Sequence, residues 1–389
     1  MQKVQVIAAG MTTFGPQPDV DVQELARRAV WEAITTSGLE PAVLRERPGV
    51  VFAGHAYQGP CFAQKTMMKI GLSGIPMFNV ENACASGTSA VAGVIAMIQS
   101  GEAEWGIAVG AEKLTRPGGG FLPIVADDLD SSMGRVMPAA FAMQAQMHRQ
   151  RYGTTLEQMA MVAVKNRRNG KLNPRCHFKE EVTIEQVLKA PSIADPLTRL
   201  SCCPVSDGAA AVILASPAFA GRATAQQSGK VVRIESCVLV SGERTRYGIV
   251  DDRSEMSVRA AKLAYQRSGL GPKDIDLCEM HDPFTIAELI HYEDLGFCEP
   301  GEGGRYIEAG KSAIGGSGVA VSPSGGLMSK GHPLGATGVA QIAELFWQLR
   351  AQAGARQVPG ARIGLAHTVG GGVTKLESGA CGVTILQAA

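Results

Sequence analysis

The chain of 389 residues is 45% hydrophobic and 19% charged, and its formal net charge is +1. That length can hold two or more domain-sized cores, while the near-zero charge gives no reason to expect nucleic acid or an acidic membrane surface as a partner. No apolar run approaches the about 18 residues of a membrane span and no signal peptide is visible, and nine cysteines without metal-ligand spacing indicate a reducing cytoplasm and no bound metal.

Strands and helices alternate in the first part of the chain. An apolar run at residues 4–8 opens it. The pattern then predicts a helix at 24–37, a strand at 49–53, a strand-to-turn segment at 77–81, a helix from residue 84 and a strand at 105–110. This alternation is typical of a layered α/β protein.

Cys84 is the most informative residue of this part. It lies in the segment Asn-Ala-Cys-Ala-Ser-Gly at residues 82–87, directly before an apolar helical run at 91–98. At a helix start, unpaired N–H groups and a partial positive charge favour a thiolate, which predicts a nucleophile. A buried structural cysteine is the alternative, and the local context alone leaves both interpretations open.

The second half repeats this order. After a strand at 209–215, an apolar run at 231–240 opens it. The pattern then predicts a helix at 257–268, a strand at 275–281, a helix at about 336–349 and a strand at 361–367. Two similar halves indicate a duplication with the active site at the interface between them.

His332 occupies the Gly-rich turn Gly-His-Pro-Leu-Gly-Ala-Thr-Gly at residues 331–338, just before the last predicted helix. Cys84 and His332 therefore each stand at a helix start, far apart in sequence. A Cys–His pair assembled in space is the usual way to activate a thiol. The alternative is that His332 only holds its own turn together, although the density of glycine favours a close approach of backbone segments.

With these motifs the chain resembles the thiolase family over essentially its whole length. Three further motifs carry the resemblance. They are Ser-Asp-Gly-Ala-Ala-Ala at 206–211, Ser-Gly-Gly at 324–326 and Thr-Val-Gly-Gly-Gly at 368–372. The resemblance implies an α/β thiolase fold, in which two βαβαβαββ halves form a five-layered αβαβα sandwich. It also implies an N-terminal half at 1–113 and 201–225, a loop or cover region at 114–200, and a C-terminal half at 226–389.

The resemblance further implies a chemistry. A thiolase cleaves a 3-ketoacyl-CoA by retro-Claisen chemistry, with coenzyme A as a substrate and no bound cofactor. On matching positions Cys84 attacks the ketone and carries the acyl group, and His332 takes the thiol proton. One oxyanion site would use the backbone N–H groups of Cys84 and Gly370. The second would use the rings of His332 and His281.

One motif departs from the common pattern. Residues 281–284 read His-Asp-Pro-Phe, where most thiolases read Asn-Glu-Ala-Phe and the sterol-carrier-protein type reads His-Asp-Cys-Phe. Thiolases use a second cysteine to move a proton at the substrate α-carbon. Thr368 and Pro283 stand at its two usual positions, so neither expected second cysteine is present.

Three interpretations of this absence compete. His281 carries the α-carbon proton itself, or another cysteine such as Cys298 or Cys202 moves in, or the protein does no thiolase chemistry. We favour His281, because one positioned acid is enough for a departing enolate. The alternative role of His281 is structural, orienting a water or the turn at Phe284.

Other candidate residues rest on weaker signals. Possible contacts to CoA or substrate are His148, Ser324, Gly325 and Phe284. His148 would line a pantetheine channel in the cover region, or else lie on a helix surface. If the chemistry were an aldol cleavage, Tyr247 and Tyr292 would be the candidate proton donors.

Thiolases with His-Asp-x-Phe and without a fused sterol-carrier domain often pair with a small subunit that carries a zinc ribbon and an OB fold. Such thiolases include acetoacetyl-CoA, benzoylsuccinyl-CoA and steroid retro-aldolase types, and the retained Cys84 argues against the last. We expect benzoylsuccinyl-CoA or another bulky 3-ketoacyl-CoA as substrate, with a carbon–carbon lyase, an acetoacetyl-CoA thiolase or acyltransferase subunit, or a non-catalytic scaffold as alternatives. The family also implies at least a homodimer.

Overall fold

A computed structural model describes residues 3–39, 44, 48–115, 122, 128–223, 230–243, 254–373 and 378–389. The strands are β1 (Gln5–Met11), β2 (Gly49–Gly54), β3 (Met77–Val80), β4 (Trp105–Glu112), β5 (Ser192–Ala194), β6 (Leu197–Thr198), β7 (Gly208–Ala215), β8 (Val232–Val240), β9 (Leu277–Glu279), β10 (Ala320–Val321), β11 (Ile363–Gly370) and β12 (Ala380–Ala388). The helices are α1 (Val22–Ser37), α2 (Phe62–Met68), α3 (Ser86–Gln99), α4 (Leu129–Ser132), α5 (Met137–Tyr152), α6 (Leu156–Lys171), α7 (Ile184–Lys189), α8 (Pro217–Ala223), α9 (Glu255–Ser268), α10 (Thr285–Asp294), α11 (Gly303–Glu308), α12 (Gly326–Lys330) and α13 (Leu334–Leu349). The predicted boundary after residue 225 lies outside the described residues.

The two halves form sheets of the same strand order. The order is β1-β7-β4-β2-β3 in the N-terminal half and β8-β12-β11-β9-β10 in the C-terminal half. Counting strands in chain order within each half, both sheets read first, fifth, fourth, second, third. Strands β1 and β8 pair antiparallel over two residue pairs, so the five-stranded sheets of the two halves are continuous at this point, while β5 and β6 form a separate two-stranded sheet. The predicted duplication and the predicted α/β class are both confirmed.

The helices complete five layers. Helices α3 and α13 lie between the two sheets, α1 covers the outer face of the N-terminal sheet, and α9 and α10 cover the outer face of the C-terminal sheet. Buried side chains of the central layer include Val91, Val94, Val339 and Ile342. Burying each such aliphatic side chain contributes about 1.5–3 kcal/mol, so this central layer is a main source of stability.

Glycines allow α3 and α13 to touch near their first turns. A Cβ atom on Gly87 would lie 2.6 Å from the carbonyl oxygen of Gly335 and 3.1 Å from the backbone nitrogen of Gly338. No side chain fits in so small a space, so the two backbones meet directly. This contact brings together the segments just before the two helices, which carry Cys84 and His332.

The predicted cover region is largely helical in its described part. It contains α4 to α7 and the short hairpin of β5 and β6, which agrees with the weak strand periodicity of its sequence but not with an irregular loop. The capping box at Thr155 starts α6, where the Thr155 hydroxyl accepts the N–H of Gln158 and the Gln158 side chain returns to Thr155. No helix in the described ranges is long and apolar enough to cross a bilayer.

A buried polar network joins the cover region to the C-terminal half. Lys165 Nζ of α6 lies 3.0 Å from Glu288 Oε1 of α10. The Asn166 amide donates to Asp282 Oδ2 at 2.7 Å and to Glu288 Oε2 at 2.8 Å. All four side chains are buried, so their charges are compensated inside the protein rather than by water. Since Asp282 follows His281, the network fixes the backbone that presents that histidine.

Candidate active site

Three side chains from separate segments meet between the halves. Cys84 Sγ and one ring nitrogen each of His281 and His332 all lie within 4.8 Å of one another. The two imidazoles are edge to face with centroids 5.4 Å apart. His281 is 5% and His332 6% exposed, while Cys84 remains partly exposed. The structure thus brings together the three residues that the sequence proposed as catalytic.

A tight turn presents Cys84. Ala83 has a φ of 47°, a left-handed conformation that is uncommon for a residue with a Cβ. Hydrogen bonds hold this turn: the Asn82 N–H donates to Ser86 Oγ at 2.9 Å, and the Asn82 amide donates to Ser89 Oγ at 2.8 Å. Helix α3 begins at Ser86, two residues later than predicted. The thiol therefore lies in a separate turn just ahead of the helix.

Cys84 is a thiol rather than a thiolate at rest. Burial raises the pKa of Cys84 to about 12, against the lowering effect of the backbone N–H groups of Gly371 and of Cys84 itself, while the charge of Glu112 raises it further. Desolvation therefore opposes the thiolate that the helix start predicts, and it outweighs the backbone N–H groups near the sulfur. Attack by this sulfur requires a base that removes its proton.

His332 is built to be that base. Its Nδ1 lies 2.8 Å from Thr337 Oγ1, and the Thr337 hydroxyl donates its one hydrogen to the Pro333 carbonyl at 3.1 Å. Thr337 must then accept the Nδ1–H, which leaves the lone pair on Nε2. Burial, with the charge of Lys330 adding to it, lowers the pKa of His332 to about 3. His332 is thus a neutral imidazole with a fixed tautomer.

His281 presents a buried nitrogen that is not hydrogen-bonded. Its Nε2 is inaccessible to solvent and has no partner among the described residues. Burial lowers the pKa of His281 well below its usual value, and His332 contributes in the same direction. Because buried polar atoms without a partner are rare, this nitrogen is expected to be satisfied by a bound molecule.

Thr368, at one position of the missing cysteine, is occupied otherwise. Its Oγ1 lies 2.8 Å from Thr88 Oγ1, and both side chains are buried. Thr88 belongs to α3, one turn after Cys84, so this pair ties the end of β11 to the nucleophile helix. A threonine hydroxyl does not supply the thiol that acts as acid in other thiolases. The structure therefore agrees with the absence of the second cysteine at this position in the sequence.

Cys203 is a candidate that the sequence analysis overlooked. Its backbone N–H donates to the carbonyl of Pro283 at 2.8 Å, and the adjacent residues Cys202 and Phe284 form an antiparallel bridge. Burial raises the pKa of Cys203 well above its usual value, and Cys84 is among the groups that raise it further. A neighbouring segment therefore places a thiol beside the second position of the missing cysteine.

The two cysteines proposed from sequence are less well placed. Cys202 Sγ donates to the carbonyl of Thr198 at 3.3 Å. Burial raises the pKa of Cys298, and Glu293 and Glu302 contribute, so this thiol faces acidic residues of α10 and its following loop rather than Cys84. The vicinal pair at residues 202–203, just ahead of the Ser-Asp-Gly motif, is the sequence signal that could have identified this segment, and the sequence analysis did not use it.

The end of β11 lies against the Cys84 turn. The N–H of Gly371 is close enough to the thiol to lower its pKa. The carbonyl of Gly370 accepts a hydrogen bond from Ser378 Oγ at 3.3 Å. A Cβ at Gly370 would collide with the Asn82 carbonyl, so only glycine allows this approach. The assignment of the Gly370 N–H to an oxyanion site stays a prediction.

His148 does not reach the site. The side chain is fully buried, with Nδ1 at 2.7 Å from Thr154 Oγ1 and Nε2 at 3.2 Å from Glu293 Oε1. Both ring nitrogens are therefore occupied, Nδ1 by the turn that follows α5 and Nε2 by Glu293 of α10. The alternative of a surface position is wrong, because His148 is buried between α5 and α10. The pantetheine contact stays a prediction, and these internal hydrogen bonds do not support it.

Ser324 and Gly325 support the site from behind. Ser324 Oγ donates to Glu279 Oε2 at 2.6 Å and receives Lys330 Nζ at 2.9 Å, in a fully buried cluster. A Cβ on Gly325 would lie 2.8 Å from the Cα of Gly170 in α6. These contacts place both residues in the packing under the His332 turn rather than in a CoA-binding surface.

The aromatic candidates that the structure describes differ in their position relative to the Cys84 cluster. Phe284 stacks on Phe141 of α5 with ring centroids 4.5 Å apart, next to the His281 segment. Tyr292 is fully buried and its hydroxyl donates to Glu288, so it has no access to the Cys84 cluster. Tyr247 lies outside the described residues. Of the two that the structure describes, Phe284 is the one placed to border a substrate.

Comparison with known proteins follows the same division into halves. Residues 4–218 match the family described as "Thiolase, N-terminal domain" and residues 250–379 match "Thiolase C-terminal domain-like". The chain is 41% identical over 380 residues to "Acetyl-CoA acetyltransferase" of Methanothermobacter thermautotrophicus, covering 95% of this chain and 97% of that protein. It is 37% identical over 386 residues to "Sterol carrier protein 2" of Bos taurus, covering 95% and 70%.

Two further similarities concern the reaction and the fold. The chain is 37% identical over 384 residues to "Benzoylsuccinyl-CoA thiolase subunit BbsB" of Thauera aromatica, covering 95% of each chain. Among solved structures, the "Ltp2-ChsH2(DUF35) aldolase" superposes with a TM-score of 0.83 at 24% identity, covering 100% of this chain and 98% of that chain. The second similarity supports the fold alone.

Proposed function

The chain belongs to the thiolase family and is an acyltransferase, and from that premise we propose that it cleaves a 3-ketoacyl-CoA by thiolysis through an acyl-Cys84 intermediate. One observation carries the proposal. Cys84 Sγ lies within 4.8 Å of a ring nitrogen of His332, whose tautomer is set by Thr337 so that Nε2 can accept a proton. A nucleophile and an oriented base are the two parts that acyl transfer through sulfur requires.

In the first step Cys84 Sγ attacks the ketone carbon and its proton moves to His332 Nε2. The ketone oxygen becomes an alkoxide, which the backbone N–H groups of Cys84 and Gly370 would hold. Preorganised donors of this kind contribute on the order of 3 kcal/mol each. Collapse of the alkoxide breaks the bond to the α-carbon, and that electron pair leaves on the α-carbon as the enolate of the shorter acyl-CoA.

In the second step the enolate oxygen is held by His332 and His281, whose rings are 5.4 Å apart between centroids. The proton taken from Cys84 passes from His332 to His281 and then to the α-carbon. This route assigns a partner to the buried Nε2 of His281, which has none in the described structure. The thiol proton of Cys84 thus ends on the released acyl-CoA, and no outside acid is needed.

The third step regenerates the enzyme. The thiol of coenzyme A gives its proton to His332 and attacks the acyl carbon on Cys84. Cys84 leaves as a thiolate and recovers the proton from His332. The same imidazole therefore serves both half-reactions, which is consistent with its fixed orientation.

For the substrate we keep benzoylsuccinyl-CoA or another bulky 3-ketoacyl-CoA as the candidate. A relative named as a benzoylsuccinyl-CoA thiolase subunit supports it at 37% identity over 95% of the chain. Acetoacetyl-CoA is the second candidate, supported by the relative named acetyl-CoA acetyltransferase at 41% identity. Comparing kcat/KM for the two ketoacyl-CoA esters with the purified protein decides between them.

A carbon–carbon lyase of the aldolase type is the alternative from another reaction class. It needs no acyl-cysteine, so the assembled pair of Cys84 and His332 argues against it. Mass spectrometry of the intact protein after incubation with a 3-ketoacyl-CoA separates the two. We expect an acyl adduct on Cys84 that disappears on adding coenzyme A. Cleavage of the substrate without any adduct would favour the lyase.

We also propose that the protein is at least a homodimer, paired along β3. This strand lies at the outer edge of the N-terminal sheet. The Val51 N–H donates to the Pro76 carbonyl and the His55 N–H to the Val80 carbonyl. The backbone N–H and C=O groups of the even-numbered residues in this segment therefore point towards β2. Met77 then presents its backbone N–H to the open edge, because the direction alternates along a strand.

A small zinc-ribbon and OB-fold subunit is a further proposed partner. The cover region exposes the apolar side chains of Leu129, Met133 and Met143, which such a subunit would cover. One structural neighbour is an aldolase whose name includes a DUF35 component. A cytoplasmic location stays a proposal that rests on the cysteine usage of the sequence. Purification from the native source and identification of co-purifying chains tests the partner.

A further inference from the structure

The catalytic cluster has the composition of a transition-metal site. One thiol sulfur and two imidazole nitrogens, from Cys84, His281 and His332, lie within 4.8 Å of one another. Zn²⁺ prefers these ligands, with Zn–S of about 2.3 Å and Zn–N of about 2.0–2.1 Å, so its tetrahedral ligands stand about 3.4–3.6 Å apart. An approach of about 1 Å, within the range of small side-chain rotations, would close the three ligands on one ion.

Two hydrogen-bonding features fit the ring nitrogens to a metal. His281 Nε2 is buried and has no partner among the described residues, so its lone pair is available. His332 donates its Nδ1–H to Thr337 Oγ1, which directs the Nε2 lone pair away from that contact. Metal-bound histidines usually make this kind of contact through their second nitrogen, because it fixes the ring and its tautomer.

The cation whose charge lowers the pKa of His332 is itself paired with a carboxylate. Lys330, the nearest buried cation in the sequence, is paired with Glu279 at 3.2 Å. Glu112 brings a buried negative charge to the start of α13, where its carboxylate accepts the N–H groups of Gly335 and Ala56. Because those donors occupy its oxygens, Glu112 contributes a negative electrostatic potential at the site but does not coordinate the ion. The three ligands leave one tetrahedral position open to water.

We propose that Cys84, His281 and His332 bind Zn²⁺ or a similarly soft divalent cation, and that this cation inhibits the enzyme. Coordination uses the sulfur that must attack the substrate and the nitrogens that must move its proton. The ion therefore competes with the acyl-CoA and protects Cys84 from alkylation. The sequence did not predict this site, since its ligands come from three distant segments rather than from a short motif.

Binding is tested without any use of activity, with Co²⁺ and Zn²⁺ as probes. The full-length protein, freed of metal by a chelator, is titrated with Co²⁺. We expect intense visible bands of a tetrahedral site and a near-ultraviolet thiolate-to-cobalt charge-transfer band, both displaced by one equivalent of Zn²⁺. Competition with a chromophoric chelator then measures the Zn²⁺ affinity.

Variants identify the ligands. Cys84→Ala should lose the charge-transfer band, and His281→Ala should weaken Zn²⁺ binding by at least about tenfold. Cys61→Ser is the matched control, because Cys61 is an exposed thiol outside the site and should leave both signals unchanged. Circular dichroism confirms that each variant is folded. A charge-transfer band that persists in Cys84→Ala, or unchanged affinity in His281→Ala, overturns the proposed site.

Inhibition is measured separately and is the only part that rests on the proposed thiolysis. Zn²⁺ should inhibit competitively with the 3-ketoacyl-CoA, and a chelator should restore full activity. If Zn²⁺ binds through the three proposed ligands but does not inhibit thiolysis, the inhibitory role is wrong and the metal site remains. If the protein had no thiolysis activity, the cobalt spectrum and the protection of Cys84 from iodoacetamide by Zn²⁺ would still decide whether the site exists.

Discussion

His332 Nδ1 lies 2.8 Å from Thr337 Oγ1, and Thr337 in turn donates to the Pro333 carbonyl. These two hydrogen bonds, within the first turn of α13, determine which ring nitrogen of His332 carries the proton. The thiol partner, Cys84, is held by burial as a neutral group with a pKa of about 12. The orientation of His332 therefore controls how readily the sulfur becomes a nucleophile.

Replacement of Thr337 tests this relay. Thr337→Val keeps the shape but removes the acceptor for Nδ1–H, so the wrong tautomer becomes populated. We expect kcat to fall about tenfold to hundredfold, less than the loss of the base itself, with KM little changed. Thr337→Ser should restore most of the rate. Single-turnover acylation of Cys84 is the measurement, and an unchanged acylation rate in Thr337→Val would show that the contact is only structural.

Removal of the nucleophile tests the acyl-enzyme. Cys84→Ala should keep the fold and CoA binding but lower thiolysis by about a thousandfold or more, since no other group holds the acyl chain. Intact-protein mass spectrometry should show no acyl adduct on this variant. Cys61→Ser, at an exposed thiol away from the site, should keep the adduct and the activity. Near-normal thiolysis by Cys84→Ala would contradict the mechanism.

The identity of the α-carbon acid is decided by comparing His281 with Cys203. His281→Ala should leave Cys84 reactive towards a simple acylating agent, because His332 still activates the thiol. It should slow carbon–carbon cleavage and α-proton exchange of the product acyl-CoA by about a hundredfold to ten-thousandfold. Exchange is measured by mass spectrometry in deuterated water. His332→Ala should instead impair both acylation and cleavage.

Cys203→Ser is the companion variant for that experiment. If His281 carries the proton, Cys203→Ser should exchange α-protons at nearly the normal rate. If the thiol beside Pro283 does so, Cys203→Ser should lose exchange while His281→Ala keeps it. The corresponding serine variants of Cys202 and Cys298 should exchange α-protons at the normal rate in either case, since neither thiol is placed at the site.

The stability of the buried network under His281 should depend on the side-chain amide of Asn166. Asn166→Ala removes one hydrogen-bond donor each from Asp282 Oδ2 and Glu288 Oε2, and we expect a loss of about 2–4 kcal/mol in the free energy of unfolding. Asn169→Ala, on the same helix, removes one bond of 3.1 Å to the Ser322 carbonyl and should cost about 1 kcal/mol. Urea unfolding followed by circular dichroism measures both. Equal destabilisation of the two variants would argue against a special role for Asn166.

Assembly along β3 is tested at the open edge of the strand. Met77→Pro removes the backbone donor that faces outward, whereas Met77→Ala removes only the side chain and keeps that donor. Light scattering at micromolar concentration should show at least a dimer for the native protein and Met77→Ala, and a smaller mass for Met77→Pro. A native protein of monomeric mass would contradict the proposed homodimer.

The sequence alone located the fold and the two helix starts. Strand and helix periodicity repeats in both halves, and the motifs around Cys84 and His332 are local signals of a turn before a helix. The bounds of α13 differ from the prediction by two residues at its start. The sequence also singled out His281, because its motif departs from that of most thiolases. The periodicity and the helix starts depend on neighbours in sequence, and the choice of His281 depends on the resemblance to the thiolase family, so none of them needs the tertiary structure.

Protonation and proximity were decided only by the tertiary structure. The helix start suggested a thiolate at Cys84, but the packing of two halves around it desolvates the sulfur, and desolvation has no local signature. His148 was proposed for substrate, yet the cover helices bury it against Glu293. Cys203 lies beside the His281 motif because a segment distant in sequence pairs with Pro283. Such long-range burial and pairing arise from chain segments far apart in sequence, which is why only the assembled fold reveals them.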